Sequence, residues 1–154
     1  MLPLTRTFVR AYTTAAIKPL YTAQATAVGG RQGHVKSSDG VLDLQLAMPK
    51  SLGGSGEAGK TNPEQLFAAG YSACFQGAMG LVAGKMKVSG STKVTALVHI
   101  GQDASKSLGL AVELQVESSD IEKADLQKIV EGAHKVCPYS RATRDNIEVK
   151  LTVL

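Results

Sequence analysis

Two cysteines, Cys74 in "FAAGYSACFQGAM" and Cys137 in "VCPYS", are the residues of this 154-residue chain best suited to covalent chemistry. Two thiols are too few for a structural zinc site or a disulfide scaffold. In a reducing compartment a pair that oxidises is more often catalytic than structural. One thiolate can attack a peroxide O–O bond, become a sulfenic acid and condense with the second thiol. The plainer reading also stands: a free cysteine on an apolar helix usually packs as a small hydrophobe. A reactive Cys74 needs a cation to ionise it, and the helix dipole acts only near the first turn. One positive charge at about 4 Å, with an effective dielectric near 20, is worth roughly 4 kcal/mol. That corresponds to about three pKa units. Arginine suits this task because it keeps its proton. His134 lies three residues before Cys137, but with no second ligand pair it reads as an exposed or capping histidine; His34 and His99 fall on strands and form no constellation.

The elements that carry these thiols are legible from periodicity. Leu66, Gly70, Ala73, Gly77 and Leu81 recur at three- and four-residue steps, so a long helix spans about Asn62 to Met86. Pro63 suits its first turn, with Thr61 or Asn62 as the cap. Small residues on one face imply close packing, so this is expected to be a core helix. "SDIE" at residues 119–122 reads as a capping box for a second helix running to about Val136 and stopped by Pro138. Around the helices lie candidate strands: Leu20 to Val28, which is short on breakers, then the alternating segments "HVKSSDGVLDLQLAM" with Asp39-Gly40 as a two-residue turn, "TKVTALVHI" paired with "LGLAVELQV", and a closing "NIEVKLTVL". The fold class predicted is α+β, two long core helices with largely antiparallel sheets.

The segment "GSGEAGKT", residues 54–61, spells a phosphate-binding loop. Its setting argues against that function. A phosphate loop follows a doubly buried parallel strand and places Lys-Ser/Thr at the start of the helix. Here the preceding strand alternates, "PKSL" intervenes, and Pro63 moves the helix start past Thr61. The segment is expected to be a turn, with Lys60 facing solvent.

Composition narrows the function classes. The chain is 44% hydrophobic and its uninterrupted apolar runs are too short to span a bilayer. The first acidic residue is Asp39, whereas Arg6, Arg10 and Lys18 stand among threonines and apolar residues. Basic, hydroxylated and acid-free, residues 1–18 read as a mitochondrial targeting segment and linker before a domain at 19–154, which implies the matrix as location. Cleavage after Tyr12 would remove Arg6 and Arg10, leaving 15 basic side chains against 13 acidic ones. A nearly neutral mature chain offers no electrostatic reason to bind nucleic acid.

"TNPEQLFAAGYSACF" and "VCPYSRATRDNIEV" resemble the two cysteine segments of the organic hydroperoxide resistance (Ohr) proteins of the OsmC superfamily. "GGRQG" and "SSDGVLDL" resemble that family's N-terminal strands, and the likeness extends from about Leu20 to Leu154. The resemblance implies an intertwined homodimer of OsmC-like fold that reduces organic hydroperoxides, fatty-acid ones included. It makes Cys74 the peroxidatic and Cys137 the resolving cysteine, joined by an intramolecular disulfide in each cycle. Arg31 would stabilise the thiolate and Glu64 would hold Arg31. No metal or organic cofactor is implied; a dihydrolipoyl group on a lipoylated partner protein would reduce the disulfide. Taken without the family, Glu64 could complete a capping box with Thr61, and Arg31 could be a solvated turn residue. Glu64 and Cys74 are ten residues apart, about 15 Å along a helix, so the Arg31–Glu64 pair is expected to come from the partner subunit. The competing function classes are a peroxidase with broader substrate range and a non-catalytic dimeric binder of hydrophobic ligands that keeps its cysteines for packing.

Overall fold

The computed structural model describes residues 17–154; the targeting segment expected at 1–18 falls almost entirely outside them. Ala25–Val28 (β1), His34–Ser37 (β2) and Asp43–Gln45 (β3) form an antiparallel meander, with Val35 opposite both Ala27 and Leu44. β1 starts well after Leu20. The β2–β3 connection is also longer than a two-residue turn: it takes residues 38–42, with Gly40 at φ 74 and Asp39 Oδ1 accepting from Ser37 Oγ and the Val41 amide. Asp39 prefers to bond its own neighbouring backbone, which widens the turn.

Pro63–Met86 (α1) begins where its cap dictates. Asn62 Oδ1 accepts from the Gln65 amide at 2.9 Å, and Pro63 costs nothing in the first turn. Thr61 donates instead to the Gln65 side chain, so no Thr61–Glu64 capping box forms. Replacing Asn62 by alanine is expected to cost about 1 kcal/mol, read as a lower urea midpoint with unchanged slope.

α1 packs on Lys93–Gln102 (β4) and on Lys123–Val136 (α2). β4 pairs antiparallel with Leu108–Glu117 (β5), which buries Val112, Leu114 and Val116 against the helices. The last strand, Val149–Val153 (β6), runs parallel to β5, a parallel pair within the largely antiparallel arrangement expected. Alternation fixes which face is buried but not strand direction. Pro138 ends α2 as expected and also starts a third, unpredicted helix, Pro138–Thr143 (α3), because its fixed φ suits a first helical position. The capping box expected at 119–122 is absent. α2 starts after Glu122 with no side-chain cap, while Asp120 accepts from the Ser91 amide and Ser118 from that of Ile121.

The core centres on Tyr71, Phe75 and Met79 of α1 and Leu126, Ile129 and Val130 of α2. Only one side of α1 enters it. Leu81 remains 67% exposed, so within one chain the expected core helix keeps an open apolar face. α1 is long and apolar enough to cross a membrane by length and composition alone. Its packing on β4 and α2 instead makes it the organising helix of this α+β fold.

Candidate active site

Cys74 and Cys137 meet. Cys74 projects from the middle of α1, and Cys137 occupies the joint between α2 and α3; their sulfurs are 3.6 Å apart, both as free thiols. Cys137 is fully buried, whereas Cys74 is partly accessible. A reagent from outside therefore reaches Cys74 first. Burial pushes the Cys74 thiol pKa up, and the neighbouring Cys137 thiol adds to this. The backbone N–H of Tyr139, donated to the Cys74 sulfur, works in the opposite direction.

Arg31 and Glu64 form a second pair. Gly29 and Gly30, at φ 78 and 58, turn the chain out of β1 through left-handed conformations that suit glycine. Arg31 then reaches the first turn of α1, where Nη1 and Nη2 donate to the two Glu64 oxygens at 2.8 and 2.7 Å. This two-pronged contact fixes the guanidinium plane. It holds the Glu64 carboxyl below the usual carboxylate range and raises Arg31. The Glu64 side chain is only 12% exposed, against 39% for Arg31, so the pair has one anchored member and one that a visiting group can still touch. Beside it lies an open groove of about 400 Å³, walled by Phe67, Ile100, Leu108 and Leu110.

The two pairs are not brought together within one chain. α1 is unbroken from Pro63 to Met86, and ten residues of helix separate Glu64 from Cys74 by about 15 Å.

Comparison with known proteins decides the family. Residues 54–152 match the OsmC-like protein family. Over 138 residues the chain is 54% identical to an organic hydroperoxide resistance protein of Xanthomonas axonopodis pv. citri, spanning 88% of this chain and 96% of that one. The chain belongs to the OsmC/Ohr family. Two crystal structures share this Ohr fold. OhrB of Bacillus subtilis, also an organic hydroperoxide resistance protein, superposes with a TM-score of 0.82 at 44% identity, covering 88% of this chain and all of that one. The Elizabethkingia anophelis protein, with thiocyanate bound, superposes equally well at 53% identity, covering 89% and 98%.

Other sequence features fall outside the site. Lys60 does not face solvent freely but pairs with Glu57 at 2.8 Å, and the loop before α1 follows an antiparallel strand, so the phosphate-loop spelling has no structural counterpart. His134 is half-buried rather than exposed: its Nδ1 has no partner among the described residues, and burial, with Arg144 nearby, lowers its pKa. His34 Nε2 donates to Asp43 Oδ1 across β2 and β3. The motifs did not single out Tyr71, Ser140 or Thr143, whose hydroxyls join α1 to α3 beside the thiols. Their only sequence signal is a tyrosine three residues before Cys74 on an otherwise apolar stripe.

Proposed function

We propose that this protein is a cysteine peroxidase that reduces organic hydroperoxides, those of fatty acids included, to alcohols. The thiol pair at 3.6 Å, one member accessible and one buried, carries this reading. Similarity to organic hydroperoxide resistance proteins supports it. Cys74 thiolate attacks the outer peroxide oxygen; the O–O bond breaks, the alkoxide takes a proton and leaves as alcohol, and Cys74 becomes a sulfenic acid. Cys137 then displaces water to form a disulfide. A dithiol with the spacing of dihydrolipoamide, carried on a lipoylated protein, attacks this disulfide, closes to its own cyclic disulfide and restores both thiols. No metal or organic cofactor enters these steps.

Arg31 serves as the thiolate's cation and Glu64 as its anchor. With about 15 Å between the pairs in one chain, the working unit is a homodimer in which one subunit's Arg31 faces the other's Cys74. The open apolar face of α1 supports such pairing, and the groove beside Arg31 suits an alkyl chain. The acid-free composition of residues 1–18 supports delivery to the mitochondrial matrix, where lipoylated dehydrogenase subunits are at hand.

Steady-state kinetics test the reading. With dihydrolipoamide as reductant, kcat/KM for a long-chain organic hydroperoxide should exceed that for hydrogen peroxide by at least about a hundredfold, as several apolar groups entering a groove allow. Equal values would favour the broader peroxidase. No turnover with either would favour a ligand-binding protein.

A further inference from the structure

The joint that holds Cys137 against Cys74 is tied down by a hydroxyl relay that neither pair explains. α3 has six residues, too few to be stable alone, so side chains must set its pose on α1. Three buried hydroxyls do this. Tyr71 Oη lies 2.9 Å from Ser140 Oγ and 3.2 Å from Thr143 Oγ1. Thr143 Oγ1 in turn donates to a backbone carbonyl of α3, that of Tyr139 at 3.0 Å or Ser140 at 3.2 Å. Each hydroxyl has one proton. With the Thr143 proton on a carbonyl, all three are used in one order only: Ser140 donates to Tyr71, and Tyr71 donates to Thr143. None is left unsatisfied, and Tyr71 is the link that crosses between helices.

A second contact acts on the same segment. The Tyr139 ring packs on Phe67 and Tyr71, with centroids 6.0 and 5.6 Å away. Its hydroxyl sits above Gly70, where an added Cβ would come within 2.9 Å. Phe67, Gly70, Tyr71 and Cys74 follow at three- and four-residue steps, so seat, relay and thiol share one stripe of α1. Cys137 directly precedes the clamped residues.

We infer that Tyr71, with Ser140 and Thr143, is a positioning residue for the resolving half of the cycle: it fixes α3 so that the Cys137 thiol waits at bonding range of Cys74. This rests on the peroxidase reading. The Cys74 sulfenic acid has two fates. It condenses with the Cys137 thiol, forming the S–S bond and releasing water, or it reacts with a second organic hydroperoxide, giving sulfinic acid and a second alcohol. The first fate depends on the position of Cys137, which the relay holds; the second does not.

The test is the partition between these fates. Wild-type protein, Tyr71→Phe and Ser140→Ala are exposed to rising organic hydroperoxide with dithiol present, then quenched and scored by mass spectrometry for disulfide and sulfinic Cys74. In both variants the peroxide concentration that gives half sulfinic Cys74 should fall about tenfold, the scale of one lost hydrogen bond. Sulfenic acid formation in the first turnover should change much less. Val116→Ala, in the buried face of β5 and outside the relay, controls for lost stability and should partition as wild type does. If both relay variants partition like wild type, or Val116→Ala shifts as far as they do, the inference fails while the peroxidase reading stands. If wild type yields neither sulfenic acid nor disulfide, the peroxidase reading fails and takes the inference with it.

Discussion

Replacing Cys74 by serine should abolish consumption of organic hydroperoxide, with a loss of at least about a thousandfold, the scale seen when a nucleophile is removed. The reason lies in ionisation and in sulfur chemistry. A hydroxyl at this position has no appreciable anion at neutral pH, and its oxygen cannot take up the peroxide oxygen as sulfur does. Cys137 cannot substitute, because it is fully buried behind Cys74. The exchange is nearly isosteric and Cys74 is only partly buried, so the variant should fold and keep a melting temperature close to wild type. Peroxide loss followed in the presence of dihydrolipoamide measures the effect. Turnover retained by a folded Cys74→Ser protein would remove Cys74 from the mechanism and return it to the role of a packing residue.

Much of the arrangement around the thiols is legible in the sequence, and the parts that are not share a physical reason. α1 is announced by its own residues: Pro63, the Asn62 cap and a stripe of small and apolar side chains are all local signals. The thiols sit on that helix and at the end of α2, so their meeting follows once the two helices pack. α3 escaped notice because six residues are too short to show a helical period. The parallel pairing of β6 escaped because both directions present the same alternation. The false capping box at 119–122 fits the local pattern, but Asp120 is engaged with Ser91, 29 residues away in sequence, and tertiary contact overrode local preference. Arg31 and Glu64 belong to the same class: 33 positions apart, they were legible only through family resemblance. The resemblance assigns roles only to the two thiols and to the Arg31–Glu64 pair, so the Tyr71–Ser140–Thr143 contacts emerge only from the packing of α3 on α1.

Arg31→Ala should slow peroxide reduction at pH 7 by about a hundred- to a thousandfold, and the shape of the pH profile should say why. Within one chain burial raises the Cys74 thiol, the Cys137 thiol raises it further, and the Tyr139 amide offsets only part of this. Such a thiol is largely protonated at neutral pH, so the reaction needs a cation. A charge at about 4 Å is worth roughly 4 kcal/mol at an effective dielectric of 20, or about three pKa units. Removing it should move the rise of the pH–rate curve toward alkaline pH, and activity should recover as the thiol ionises unaided. General damage to the fold would lower the whole curve without shifting it. Glu64 supplies a second readout. Its carboxyl is held low by Arg31, while burial pushes it up. Without Arg31 the burial effect remains, and a carbon-13 titration of Glu64 should move up in pH. The stabilisation that the pair contributes is present above the unfolded carboxyl pKa and is lost as pH falls through the depressed folded value. The variant should therefore be less stable than wild type at neutral pH and approach it in acid. Mixing Arg31→Ala with Cys74→Ser chains tests where the cation comes from. If Arg31 serves the Cys74 of the other subunit, each mixed dimer regains one intact site, and an equal mixture at exchange equilibrium should recover about a quarter of wild-type activity. If it serves its own chain, no mixed dimer contains a complete site and the mixture stays inactive.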